Sequence, residues 1–209
     1  MTATMRLGLD FDNTIVSYDD LFHKVALDGG WIPPDTPVSK NSIRNHLRHM
    51  GQEDIWTEMQ GYVYGARMAE AAAFAGVREC LVWAREQGIW TFIVSHKTRH
   101  PFIGPKYDLH EAARAWLDRH LRDGNGLLVD PDDVFFEITK ESKLARVAEI
   151  GCSLFIDDLP EILLAPLFPA RTQPLLFDPD DHHTTTELPR VRGWIEVREL
   201  LEKRWLRVS

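Results

Sequence analysis

Beyond residue 76 the chain alternates short apolar runs with stretches whose apolar residues recur every three or four positions. Residues 89–94 (IWTFIV) are almost unbroken apolar, as a strand covered on both faces requires. Before them, Val77, Cys80, Leu81 and Ala84 fall at helical spacing, and Gly88 is suited to end that helix. Asp108 and Glu111 have the outline of a capping box, and Leu109, Ala112, Ala113, Trp116 and Leu117 follow on one helix face. Residues 134–138 (VFFEI) read as a strand, Leu144, Val147 and Ala148 as a helix closed by Gly151, and residues 154–156 as a further strand. A fifth strand is expected at 174–177 (PLLF) and a closing helix at 194–201. With the run Leu7-Gly8-Leu9 near the start, this alternation predicts an α/β fold, a Rossmann-like parallel sheet flanked by helices.

Residues 16–75 break the pattern. A Gly/Pro-rich stretch, DGGWIPPDTP, leads into two helical patterns. Ile43, Leu47 and Met50 form the first, stopped by Gly51; Ile55, Met59, Val63 and Ala66 form the second. The expectation is a small helical module inserted after the first strand, with residues 1–15 and 76–209 as the α/β core.

A chain of 209 residues suffices for one such domain with a modest insert. Its net charge of −8 argues against non-specific nucleic-acid binding, which rests on neutralising phosphates. Cys80 and Cys152 both sit in apolar stretches and read as buried, inert thiols. The opening MTATMRLGLD has no apolar core followed by a cleavage site, and no window approaches the ~20 apolar residues of a membrane span. A cytoplasmic protein without membrane partner is expected; oligomeric state is not readable.

Polar residues with chemistry in them close the strands. Asp10 and Asp12 follow the first, Ser95 closes IWTFIV, Lys140 and Lys143 follow VFFEI, and Asp157 and Asp158 follow LFI. In a parallel sheet the carboxyl ends of the strands form the crevice that binds ligands. In an extended segment residues i and i+2 share a side, so Asp10 and Asp12 address one site. Oxygen-only donors select a hard cation, most simply Mg²⁺, which also binds phosphate. Asp10 is suited to attack phosphorus, Asp12 to act as acid and base, Ser95 with the backbone N–H groups after it to hold a non-bridging oxygen, and a lysine to offset charge.

In the order DFDNTI, FIVSHKT, a lysine at a helix start, and FIDDLPE, the chain resembles the haloacid dehalogenase-like (HAD) hydrolase superfamily over residues 6–15 and 77–160. The resemblance implies that Asp10 is the nucleophile, Asp12 the acid/base with its carbonyl on Mg²⁺, and Ser95 the phosphate-binding hydroxyl. It implies metal ligands Asp10, Asp12 and Asp158, with Asp157 contacting the lysine and Glu161 assisting through a water. Lys143 matches the family's lysine better than Lys140, although either could reach the crevice. The insert at 16–75 falls where the family carries a small helical cap, which closes over the site and excludes water.

Outside the motifs, His46, His49, His182 and His183 show no zinc-site spacing and read as surface residues. Arg44 and Arg48, a turn apart, read as a solvated face, and Trp56, Tyr62 and Tyr64 as packing. The basic segment His96-Lys97-Thr98-Arg99-His100, continuing to Lys106, reads either as a contact for substrate anions, through His96 and Lys97, or as a solvated loop. The expected activity is Mg²⁺-dependent hydrolysis of a small phosphorylated metabolite, such as a sugar phosphate or nucleotide, through an aspartyl-phosphate. A phosphotransferase of the same superfamily and a catalytically idle interaction protein are the alternatives.

Overall fold

The apolar runs become the interior of a sheet, in a computed structural model that describes residues 4–208; residues 1–3 of the opening segment lie outside the described residues. In chain order the elements are β1 (Arg6–Leu9), β2 (Val16–Ser17), α1 (Asp19–Asp28), α2 (Lys40–His49), α3 (Glu53–Tyr64), β3 (Ala72–Ala73), α4 (Val77–Glu86), β4 (Trp90–His96) and α5 (Leu109–His120). After these come β5 (Arg122–Asp123), β6 (Gly126–Leu127), β7 (Val134–Glu137), α6 (Lys140–Ile150), β8 (Leu154–Asp157), α7 (Pro160–Leu163), β9 (Gln173–Phe177), β10 (Arg190–Val191) and α8 (Trp194–Val208).

Six strands pair in parallel in the order β10-β9-β8-β1-β4-β7. Side-chain alternation splits the core between the two faces of this sheet. Leu154 and Ile156 of β8 join Leu7, Leu9 and Ile93 on one face, together with residues of α4, α5 and α8. Phe155 points the other way and packs with Phe92, Val94, Leu144 and Val147 under α6 and α7. Gly8 makes that possible: a Cβ there would lie 2.6 Å from the Phe155 ring and 2.7 Å from Cys152 Sγ. Both cysteines are buried free thiols, and burial pushes each up to about 12.

The insert holds three helices where the sequence pattern predicts two. α1 carries Leu21, Phe22, Val25 and Ala26 inward, but its N-cap, Tyr18, makes no side-chain capping bond, so the usual start signal is missing. α1, α2 and α3 pack on one another, and a short antiparallel ribbon of β2 and β3 pairs Val16 with Ala73 and Ser17 with Ala72 where the chain enters and leaves them. α3 also sits close on the loop after β4. Gly61 and Gly65 present no side chain to Pro101 and Tyr107, where a Cβ would fall within 2.6 Å and 2.5 Å. Among the described residues no helix is long and apolar enough to cross a membrane.

Candidate active site

The β1 ladder runs one residue past the strand: Asp10 N donates to Ile156 O at 2.8 Å, which fixes the Asp10 backbone beside β8. From the other side, α6 begins with a capping box between Thr139 and Ser142 and projects Lys143 inward. The Lys143 ammonium, buried with its two partners, donates at 2.6 Å to Asp10 Oδ1 and at 2.6 Å to Asp157 Oδ2. Asp157 Oδ1 accepts from Leu159 N at 3.0 Å, so both its oxygens are occupied. Asp158, next along, takes part in no ion pair or side-chain hydrogen bond among the described residues. The other lysine, Lys140, is exposed and lies 3.4 Å from Glu161, which is also exposed.

Asp10, Asp157 and Asp158 each offer a carboxylate oxygen within 4.8 Å of the others. One ammonium bridges two of the three acids. Burial therefore raises Asp10 to about 7, opposed by Lys143 and reinforced by Asp157 and Asp12. Burial also pushes Asp158 well above its ordinary value, and the charges of Asp157 and Asp10 add to it. Burial alone would lower Lys143, but the two acids outweigh it and hold it charged. This oxygen-only donor set fits a hard cation, and Asp10 Oδ2 and Asp158 are its carboxylate oxygens without a partner among the described residues.

Asp12 faces a different set of partners. Lys97 Nζ donates to its two oxygens at 2.9 and 2.7 Å, and Tyr18 Oη donates to Oδ1 at 2.5 Å. Burial would raise Asp12, but Lys97 and then Tyr18 outweigh it and hold it below its ordinary value. Asn13 follows in the left-handed region, φ 57°, which asparagine tolerates better than most residues. Ile15 N and Val16 N then both donate to Phe11 O, closing the turn that brings Tyr18 back over Asp12.

These contacts revise two of the expected substrate contacts. Lys97 is not a free cation: it is buried and bound to Asp12. His96, on the opposite side of β4, is exposed and its Nε2 lies 3.0 Å from Ile138 O, so it does not face the acids. Ser95 is buried at the end of β4 beside Phe136 of β7. Of the backbone N–H groups after it, that of Lys97 is already donated to Glu137 O at 2.8 Å. The Asp12 carboxylate is directed to Lys97 and Tyr18, so it is not one of the oxygens free to meet a cation. The rest of the basic segment is tied down as well: Arg99 pairs with Asp108 and His100 with Tyr107 O.

The sequence pattern gives no hint of Tyr18 or of Lys40. Lys40 opens α2, with its ammonium 5.4 Å from the Tyr64 ring centre. Burial would lower it, but Tyr64, then Asp158 and Asp12, raise it above its ordinary value. Beneath it lies a cavity of about 430 Å³ between α2, the strand ends and the loop after β9.

The fold recurs in solved structures. A HAD-family hydrolase from Deinococcus radiodurans, determined with bound phosphate and sodium, matches with a TM-score of 0.57 at 14% identity, over 97% of this chain and 97% of that one. A predicted phosphoglycolate phosphatase from Haemophilus somnus gives 0.57 at 14% identity, over 96% and 99% of the two chains. An L-2-haloacid dehalogenase gives 0.58 at 11%, over 96% and 100%. The chain thus has the fold of the HAD-like hydrolases, a class whose members include proteins named as phosphatases and as dehalogenases. No family model matches the sequence, and no curated protein matches it.

Proposed function

We propose that this chain is a Mg²⁺-dependent phosphomonoester hydrolase working through an aspartyl-phosphate. The observation that carries the reading is the triplet of acids at the Lys143 ammonium, Asp10 and Asp157 buried and Asp158 half-buried, with Asp10 Oδ2 and Asp158 left unpartnered. Asp10, Asp158 and the Asp12 carbonyl would hold the ion, which when bound neutralises charge on nucleophile and phosphoryl group. In the first step Asp10 attacks phosphorus, the bond from phosphorus to the ester oxygen breaks, and that oxygen takes a proton from Asp12. In the second, Asp12 takes a proton from water, whose oxygen attacks phosphorus, releasing phosphate and restoring Asp10. Lys97 and Tyr18 favour ionised Asp12, the form the second step needs; the first requires substrate to loosen that pairing. Lys143 offsets charge building on the phosphoryl oxygens, and Ser95 holds one of them. The helical insert over residues 16–75 acts as the cap.

The test is turnover of an aryl phosphate by purified protein with Mg²⁺ and with a chelator. Hydrolysis should require the metal and vanish in Asp10→Asn without change in far-UV circular dichroism. A protein inert toward every phosphate ester with Mg²⁺ supplied, or active only in releasing halide from 2-haloacids, would overturn the proposal.

A further inference from the structure

The two arginines that the sequence pattern places together on one helix face are separated by the fold. Arg48 is exposed and held in a two-point pair with Glu53, at 2.6 and 2.8 Å. Arg44, one turn earlier, is half-buried and lines the cavity beside Asp158. It makes no ion pair or hydrogen bond among the described residues, and its Nε is buried with no partner. Leaving a buried charged donor unmade is costly, and a ligand oxygen would repair it. Glu53, whose charge Arg44 helps to stabilise, is already taken by Arg48.

The cavity's acids do not supply that oxygen. Asp19 Oδ1 accepts from the Lys40 backbone N at 2.6 Å. Asp178 accepts from the backbone N of His182 and His183 and from Arg190. Glu161 lies against Lys140, and Asp180 lies 3.7 Å from His182. Asp158 belongs to the acid triplet. Apart from Asp158, the cavity's acids are thus engaged within the protein, and on the α2 wall Lys40 and Arg44 stand four residues apart and so share a helix face, Lys40 engaged with Tyr64 and Arg44 without a partner among the described residues. Lys40 is the one near the acids, its ammonium 6.0 Å from the ring centre of Tyr18, which hydrogen-bonds to Asp12. Arg44 stands a turn further from the reacting group. The basic segment at 96–106, the other place for such a contact, has Lys97, Arg99, His96 and His100 engaged within the protein.

We infer that the cavity takes a phosphomonoester bearing a second anionic group, a carboxylate or a further phosphate, which the Arg44 guanidinium receives while the ester phosphate lies at Asp10. The inference rests on the hydrolase reading above and names its substrate class. A volume of about 430 Å³ suits a small metabolite of this kind. A guanidinium meets either group with two parallel hydrogen bonds, which a neutral hydroxyl in its place cannot accept with equal strength.

Matched pairs test it with the full-length protein and Mg²⁺: 3-phosphoglycerate against glycerol 3-phosphate, and fructose 1,6-bisphosphate against fructose 6-phosphate. In at least one pair kcat/KM should favour the doubly anionic ester by about 10- to 100-fold, the effect of one charge-assisted hydrogen-bonded contact. The first pair reports a carboxylate and the second a phosphate. Arg44→Met should bring the ratio near one, mainly through KM, and Arg44→Lys should restore part of it. Arg48→Met, on the exposed side of the same helix, should leave the ratio as in the wild type. Hydrolysis of all four esters with ratios near one, or a preference that survives Arg44→Met, would overturn the inference while leaving the hydrolase reading intact. No hydrolysis of any ester would instead overturn the reading on which it stands.

Discussion

Lys97 grips Asp12 through both carboxylate oxygens, at 2.9 and 2.7 Å, in a pair whose side chains are 3% and 20% exposed. The proposed acid/base is therefore held by a cation from the neighbouring strand before any substrate arrives. Lys97→Met should destabilise the fold by about 3 kcal/mol, because the carboxylate loses its partner while staying mostly out of water. Urea denaturation of the two proteins measures this, and turnover of an aryl phosphate should fall with it. A variant as stable as the wild type would mean that the pair contributes nothing.

The two lysines at the start of α6 should behave oppositely. Lys143→Met removes the ammonium between Asp10 and Asp157, so turnover should be lost and stability should drop by about 3 kcal/mol. Lys140→Ala removes only an exposed contact to Glu161 and should change stability by less than about 0.5 kcal/mol, with turnover retained. Assays of both variants side by side check the assignment of Lys143.

A cation that meets the acid cluster should stabilise the folded chain. At a Mg²⁺ concentration a hundredfold above its dissociation constant the gain is about 2.7 kcal/mol, which for a chain of this size raises Tm by roughly 5–10 °C. Asp158→Asn should abolish the rise, and a chelator should reverse it in the wild type. Thermal melts without substrate are the measurement, so the outcome is independent of catalysis.

Asp178 gives a pH dependence away from the acid cluster. Burial would raise it, but hydrogen bonds from His183 N, Arg190 and His182 N outweigh burial and hold it below its ordinary 3.8. A group with a lowered native value stabilises above its unfolded pKa and loses that contribution as pH falls through the native one. Asp178→Asn should thus cost about 1–3 kcal/mol at pH 6 to 7, and the gap should narrow as pH drops below 3.8. Denaturation of both proteins across pH 2.5 to 7 follows it.

Five strands of the sheet were legible as short apolar runs, and the placing of Asp10, Asp157 and Asp158 at neighbouring strand ends follows from strand order, whereas only the family resemblance favoured Lys143 over Lys140. β10 was not: two residues, Arg190 and Val191, carry no periodicity, and the pairing with β9 supplies what the pattern lacks. α1 escaped because no capping side chain announces it, and with it went Tyr18, whose reach to Asp12 depends on the turn at Asn13. The partnership of Lys97 with Asp12 was not legible: the basic run around Lys97 points to substrate anions or a solvated loop, and Lys97 lies one residue past the end of β4. Nor were the separate fates of Arg44 and Arg48, because periodicity gives a helix its buried stripe, here Ile43 and Leu47, but not what the flanking positions face.

The absent side chain at Gly8 has a reach beyond the strand that contains it. Phe155 lies in the space it leaves, and the Phe155 ring faces the Lys143 ammonium, 5.5 Å from centroid to Nζ. A valine at position 8 would suit an extended backbone better, but its Cβ would collide with that ring and force it to shift. The packing beneath Lys143 and its two acids is therefore set by one missing methyl group, two positions ahead of Asp10, and a residue with no side chain governs how snugly the most crowded charges sit.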